Sequence, residues 1–149
     1  MTTDAVCESP QTAGFAETAL ERRAFTFEAD APVTASVVVG TWVVVGFGDG
    51  VVRFLRPAET PLVVEAHRGP VLSLVVDRTT GSVLTGGDDG RFLRVHADGT
   101  IDELANFGTR WVDCVAASTD LFACSSGRTT HVWHANGTSS TVFEHLSTV

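Results

Sequence analysis

Four short stretches of this chain carry residue types that could do chemistry. The first is "VVVGFGDG" at 43–50, a valine run closed by glycines and an aspartate. A dinucleotide site needs Gly-x-Gly-x-x-Gly after a strand, and then a helix whose N-terminus meets the pyrophosphate. Gly46 and Gly48 fit the first two positions, but the third falls on Val51. The next residues, "VVRFLRP", are a β-rich run ended by Pro57 and without helical period. The spacing therefore predicts two strands joined by an Asp-Gly turn. The second stretch is "HVWH", with His131 and His134 three apart. On a strand that spacing sends the two imidazoles to opposite faces, which excludes a shared metal unless the strand bends. The third is "DDG" at 88–90, which lacks the alternating carboxylates of a calcium loop and reads as a turn. The fourth is "NGT" at 136–138, a glycosylation triplet that reads as a plain turn, since the opening residues lead us to expect no secretory leader.

The cysteines add no chemistry. Cys7, Cys114 and Cys124 form no close pair, and their odd number and wide spacing make no disulfide framework. Cys114 and Cys124 sit in apolar stretches and read as small buried hydrophobes. There is no nucleophile elbow, no phosphate loop and no paired carboxylates at a telling spacing. The expectation is a protein that is not an enzyme and takes no cofactor and no metal.

Composition bounds the remaining classes. The 149 residues are enough for one domain with a real core, and 44% hydrophobic residues with mean hydropathy +0.18 describe a globular chain. All ten basic residues are Arg, the net charge is −8 and the pI is about 4.9. Phosphate contacts need clustered basic residues, so nucleic acid is not an expected partner. No apolar run reaches the length of a membrane span, so neither is a membrane. The expected location is cytoplasmic.

The elements that must position these residues repeat. "GFGDGVVRFL" (46–55), "TGGDDGRFLRV" (85–95) and "ACSSGRTTHVW" (123–133) each join a small-residue strand end to an extended run through a turn with Gly50, Gly90 or Gly127. A second series repeats independently. "PVTASVVV" (32–39), "PVLSLVVD" (70–77) and "WVDCVAAS" (111–118) begin alternating apolar strands at Val33, Val71 and Val112, and "HLSTV" supplies Val149. "HRGPV" (67–71) and "HLSTV" (145–149) place His67 and His145 at one offset. A period near forty with four strands per unit marks β-propeller blades.

The stretch "AHRGPVLSLVVDRTTGSVLTGGDDGRFLRVHADG" (66–99) resembles a WD40 repeat, and the resemblance covers residues 24–149. It implies an all-β chain of about three four-stranded antiparallel blades, at about 30–66, 67–107 and 108–145, after a tail at 1–23. The expected strands are 33–38, 42–47, 51–56 and 61–65; then 71–76, 82–86, 91–96 and 100–104; then 112–117, 120–124, 129–133 and 140–144. "AFTFEA" (24–29) resembles the N-terminal strand that closes such rings. "FAETALERR" (15–23) reads equally as a short helix or a frayed tail. Three blades do not close a ring, so the chain is expected to be the N-terminal part of a longer propeller or to complete a ring by self-association.

The resemblance also implies a structural network of His67, Thr85 and Asp89, with His96 at the tryptophan position. In the first unit Asp49 matches, with Leu55 at the tryptophan position; in the third, Ser126 stands for the Asp and Trp133 for the Trp. The implied function is a non-catalytic protein-binding scaffold. The alternative is a propeller enzyme or small-molecule binder with its site in the central channel. The innermost strands offer that channel one charge, Asp113. The loop "GTRWVD" (108–113) and Arg68 are the candidate contact surface, because Arg and Trp dominate interaction hot spots. Arg68 reads otherwise as a solvated loop charge, and Trp111 reads first as packing between blades and second as a contact made with Arg110.

Overall fold

The computed structural model describes residues 16, 18–136 and 140–147. Cys7, most of the expected tail, the Asn-Gly-Thr triplet beyond Asn136, and Thr148–Val149 lie outside the described residues.

The alternating β-branched stretches form three four-stranded antiparallel sheets. Blade 1 contains β1 (Val33–Val39), β2 (Trp42–Phe47), β3 (Val51–Leu55) and β4 (Leu62–Glu65). Blade 2 contains β5 (Val71–Asp77), β6 (Ser82–Gly87), β7 (Arg91–Val95) and β8 (Ile101–Asn106). Blade 3 contains β9 (Cys114–Ala117), β10 (Leu121–Ser126), β11 (Thr129–His134) and β12 (Ser140–Glu144). Each sheet is ordered as the chain runs, so each is a meander. β1 lies beside β5 and β5 beside β9, which makes these the inner strands. Among the described residues the one helical element is a 3-10 turn at Glu21–Arg23, and none is long and apolar enough to cross a membrane.

The blades are held by two apolar seams. The face of blade 1 toward blade 2 contributes Val44, Val52, Phe54 and Val64, which bury against Val71, Leu74, Val83, Leu93 and Val95 of blade 2. The opposite face of blade 2 offers Leu84 and Phe92 to Val112, Val115, Phe122 and Cys124 of blade 3. Phe92, Phe122 and Trp133 meet ring to ring, with centroids 5.5–6.0 Å apart. Full burial of each such side chain contributes about 1.5–3 kcal/mol, so these seams, rather than ladder hydrogen bonds, join one blade to the next.

Glycine is required where a turn passes under the next loop. Gly50 and Gly90 both have positive φ, at 89° and 76°. A Cβ on Gly50 would fall on the carbonyl oxygens of His67 and Gly69, and on Gly90 on those of Gly108 and Arg110.

Cys114, expected to be buried, is exposed, whereas Cys124 is buried as expected. Four expectations about strands and turns also need correction. Residues 24–29 make no strand; they run extended across blade 1, where the Glu28 carbonyl accepts from Arg53 at 3.4 Å. A strand needs a ladder partner, and none of the three sheets offers one there. The third inner strand begins at Cys114 rather than at 112, because the Val112 amide donates to Gly87 of blade 2 at 3.0 Å. The ladder register moves the tryptophan slot of blade 2: Val43, Val83 and Phe122 face Leu55, Val95 and Trp133. Val95, fully buried, therefore fills the slot, and His96 lies one residue beyond, paired with Asp102 at 2.9 Å. A shift of one residue reverses the face of a strand, and a spacing count is blind to that step. Finally, the β10–β11 turn is only Gly127–Arg128, one residue shorter than its counterparts. Ser126 consequently stands at the place of Gly87, and blade 3 has no turn aspartate.

Candidate functional site

One rim carries the β2–β3, β6–β7 and β10–β11 turns together with the loops between blades. There the structure joins three of the four predicted network residues. The Asp89 carboxylate accepts from His67 Nδ1 at 2.9 Å, and from the Arg68 and Arg91 amides at 3.1 Å each. With the Nδ1 proton given to Asp89, His67 Nε2 accepts from the Thr85 hydroxyl at 2.9 Å. The network ties the loop entering blade 2 to the β6–β7 turn, and the Arg91 guanidinium adds a bond to the Ala66 carbonyl at 3.1 Å.

Burial pushes the His67 imidazole below its ordinary value, against the opposing pull of Asp89, so the ring is neutral at pH 7. Burial also raises the Asp89 carboxyl, but the His67 bond and the two amides outweigh it and hold Asp89 below the usual carboxylate range. A buried carboxylate persists because three donors surround it.

Asp49, the fourth predicted member, does not join such a network. Its carboxylate caps the Val51 amide at 3.1 Å within its own turn. Strand register explains the difference. The counterparts of Thr85 are Val45 and Cys124, which offer no comparable hydroxyl, and the counterparts of His67 are Ala29 and Gly108. The lock is confined to blade 2.

Thr85, His67 and Asp89 are ordered as nucleophile, base and orienting acid are in hydrolases. Thr85 is 0% exposed, so no substrate carbonyl can approach its oxygen. The arrangement is structural.

The contact candidates lie on the same rim. Trp111 is 62% exposed, which overturns the expectation that it packs between blades. Val112 takes the buried place against Gly86, and its neighbour is turned outward. Arg110 and Arg68 are exposed as well. Among the described residues none of these three side chains makes a hydrogen bond, ion pair or ring contact. Thr109, Arg110, Trp111, Asp113 and Gly127 line an open depression of about 290 Å³. Asp113 accepts from the Ser125 hydroxyl at 2.8 Å.

The sequence reading missed a second polar lock on the opposite rim. Asp77, at the end of β5, is 3% exposed and accepts from the Thr79 amide and from Arg94 Nε, both at 2.9 Å. The Arg94 guanidinium sits 5.5 Å from the Phe122 ring centroid of blade 3. Burial raises the Asp77 carboxyl, but hydrogen bonds from Thr80 and Thr79, with the Arg94 charge, leave it below the usual range. The stretch "DRTTG" held the local signal, an aspartate capping its own turn. Its pairing with Arg94 depends on register.

His131 meets the Phe107 ring at a tilt with centroids 4.5 Å apart and stacks on Trp133 at 5.8 Å, while His134 is exposed at the end of β11. Among the described residues no three His, Cys, Asp or Glu side chains converge as a metal site.

No family model and no curated protein matches the chain. Solved structures do. The WD40 beta propeller domain of Doa1 is 21% identical with a TM-score of 0.66, over 83% of this chain and 44% of that one. A chain of the mitotic checkpoint complex is 18% identical with a TM-score of 0.64, over 78% and 41%. The computationally designed Ika8 protein is 22% identical with a TM-score of 0.65, over 78% and 38%. The chain thus spans about two fifths of the length of each. At these identities the likeness is one of fold: three successive propeller blades.

Proposed function

We propose that this chain is a divergent WD40-type scaffold that binds protein partners and does no chemistry of its own. The observation that carries the reading is the exposed, unpartnered pair Arg110–Trp111 on a rim whose loops are pinned by the His67–Asp89 lock. Exposing an indole on a rigid loop costs stability and orders it in advance for a partner, and large anchors of this kind dominate binding energy. Two further points support the reading. The one arrangement that resembles a catalytic set is closed to substrate. On the inner strands and at the residue leading into the third of them, the charges are Asp77, locked to Arg94, and Asp113, held by Ser125. The similarity to the WD40 beta propeller domain of Doa1 and to a chain of the mitotic checkpoint complex is in keeping with a protein-binding role.

The test compares proteins retained from an extract of the source cells by the wild type, Trp111→Ala, Arg110→Ala and the outer-turn control Asp98→Ala. At least one protein should be held in proportion by wild type and control and be lost on Trp111→Ala, with unchanged melting. Identical retention by all four would remove this surface from the function.

A further inference from the structure

Charges on the rim that carries the blade 2 lock are paired unevenly. The chain has eighteen acidic residues against ten Arg, so an unpaired Arg is not explained by a shortage of carboxylates. Most of the arginines in the blades are engaged. Arg53 bonds the Glu28 carbonyl, Arg56 pairs with Glu59, Arg91 with Glu103, Arg94 with Asp77, and Arg128 loosely with Glu144. Arg68 and Arg110 are exposed, and among the described residues their side chains make no such contact.

The two stand on loops either side of one turn. The Arg68 amide donates to Asp89 at 3.1 Å, which fixes the loop entering blade 2 against the β6–β7 turn. On the other side, a Cβ on Gly90 of that turn would lie 3.0 Å from the Arg110 carbonyl oxygen. The loop entering blade 3 is held there by the Phe107 amide on the Gly90 carbonyl at 2.8 Å and the Val112 amide on that of Gly87 at 3.0 Å. Both backbones are therefore anchored while both guanidiniums are free. Trp111 follows Arg110 and lines with it the open depression of about 290 Å³. On the turn between the two arginines, Asp88 sets its carboxylate against Gly69.

We infer that this surface takes an acidic segment of a partner protein, with one carboxylate on Arg68, a second on Arg110, and an apolar side chain against the Trp111 indole. This partner chemistry rests on the protein-binding reading above. A guanidinium keeps its charge at any working pH and holds a carboxylate through two parallel hydrogen bonds. Asp88 selects among anions. A phosphoryl group concentrates its charge at one point and calls for arginines gathered around it; here they stand on separate loops, and Asp88 repels an anion placed between them. A nucleic-acid backbone needs a continuous basic stripe, which Asp88 and Asp113 interrupt. Two separate single charges match two separate carboxylates, and the indole supplies the apolar anchor. Because the whole chain carries −8, long-range attraction for an acidic partner is absent and binding depends on these local pairs.

The probes are fluorescent peptides with two Glu at varied spacing and a Leu at either end. Matched sets carry Gln in place of both Glu, or one phosphoserine with Gln in place of the second Glu. Polarisation titrations against the 149-residue chain read binding. Glu peptides of at least one spacing should bind, and more weakly as salt rises. Arg68→Gln and Arg110→Gln should each weaken that peptide about two- to fivefold, and Trp111→Ala should weaken it on replacing a Leu-bearing probe's anchor site. Neither arginine side chain holds a contact within the chain, so folding is not at risk, and circular dichroism checks it. No Glu peptide bound at any spacing, tighter binding of the Gln or phosphoserine sets, or arginine variants that bind like wild type would each overturn the inference. The extract experiment separates it from the broader reading. A protein lost on Trp111→Ala but kept by the double variant Arg68→Gln and Arg110→Gln would remove the acidic partner and leave the scaffold in place.

Discussion

Replacing Asp89 by alanine should be among the most damaging polar substitutions in this protein. Its side chain is 9% exposed and accepts three hydrogen bonds, from His67 Nδ1 and the amides of Arg68 and Arg91. A hydrogen bond to a charged group contributes about 1.5–3 kcal/mol net, and a buried donor left unpaired costs about 1–3 kcal/mol. The bonds share one carboxylate, and water can reach the two amides once it is gone, so their values do not add. The largest surviving cost is His67, whose ring stays buried with Nδ1–H unpaired. The net expectation is about 3 kcal/mol, which for a domain of this size lowers the melting temperature by roughly 10 °C. Asp49→Ala removes one bond in an exposed turn, and Asp98→Ala touches only its neighbour Thr100, so both should melt close to wild type. Thermal denaturation followed by circular dichroism at neutral pH reads all three. Equal midpoints for Asp89→Ala and Asp98→Ala would refute the reasoning, because the blade 2 lock would then carry no stability.

The pH dependence arises from the same lock. His67 has a folded value below its ordinary 6.5, so the unfolded chain binds its proton first, and stability falls as the pH drops below about that value. Asp89 and Asp77 lie below 3.8, so their share is complete above that value and is lost further into acid. Urea titrations between neutral and acid pH should show both steps, with the first absent in His67→Gln. Trp133→Ala should cost about 3 kcal/mol or more by opening the Phe92–Phe122 cluster, whereas Trp111→Ala should leave the denaturation midpoint near wild type. Cys114, which is exposed, should be alkylated in the native state, while Cys124, buried and pushed up to about 12, should react only on unfolding; mass spectrometry of the labelled chain decides this.

Much of the site was legible because it is local in sequence. His67, Thr85 and Asp89 lie within one repeat whose turn glycine fixes their spacing, and the structure brings all three together. His96 was misassigned because counting along a strand does not show which residue the neighbouring strand faces. Asp49 was given a role by motif alone, while the partners such a role needs are replaced at Val45 and Ala29.

The sequence by itself determined the all-β class, the three blades and nearly every strand, because side-chain alternation and Asp-Gly turns act over a few residues. It could not determine the exposure of Trp111, the Asp77–Arg94 lock or the path of residues 24–29. Each depends on which surface of a strand meets a neighbour from another blade. That choice is made only when all the seams are packed at once, since one residue of register exchanges the buried face for the solvent face.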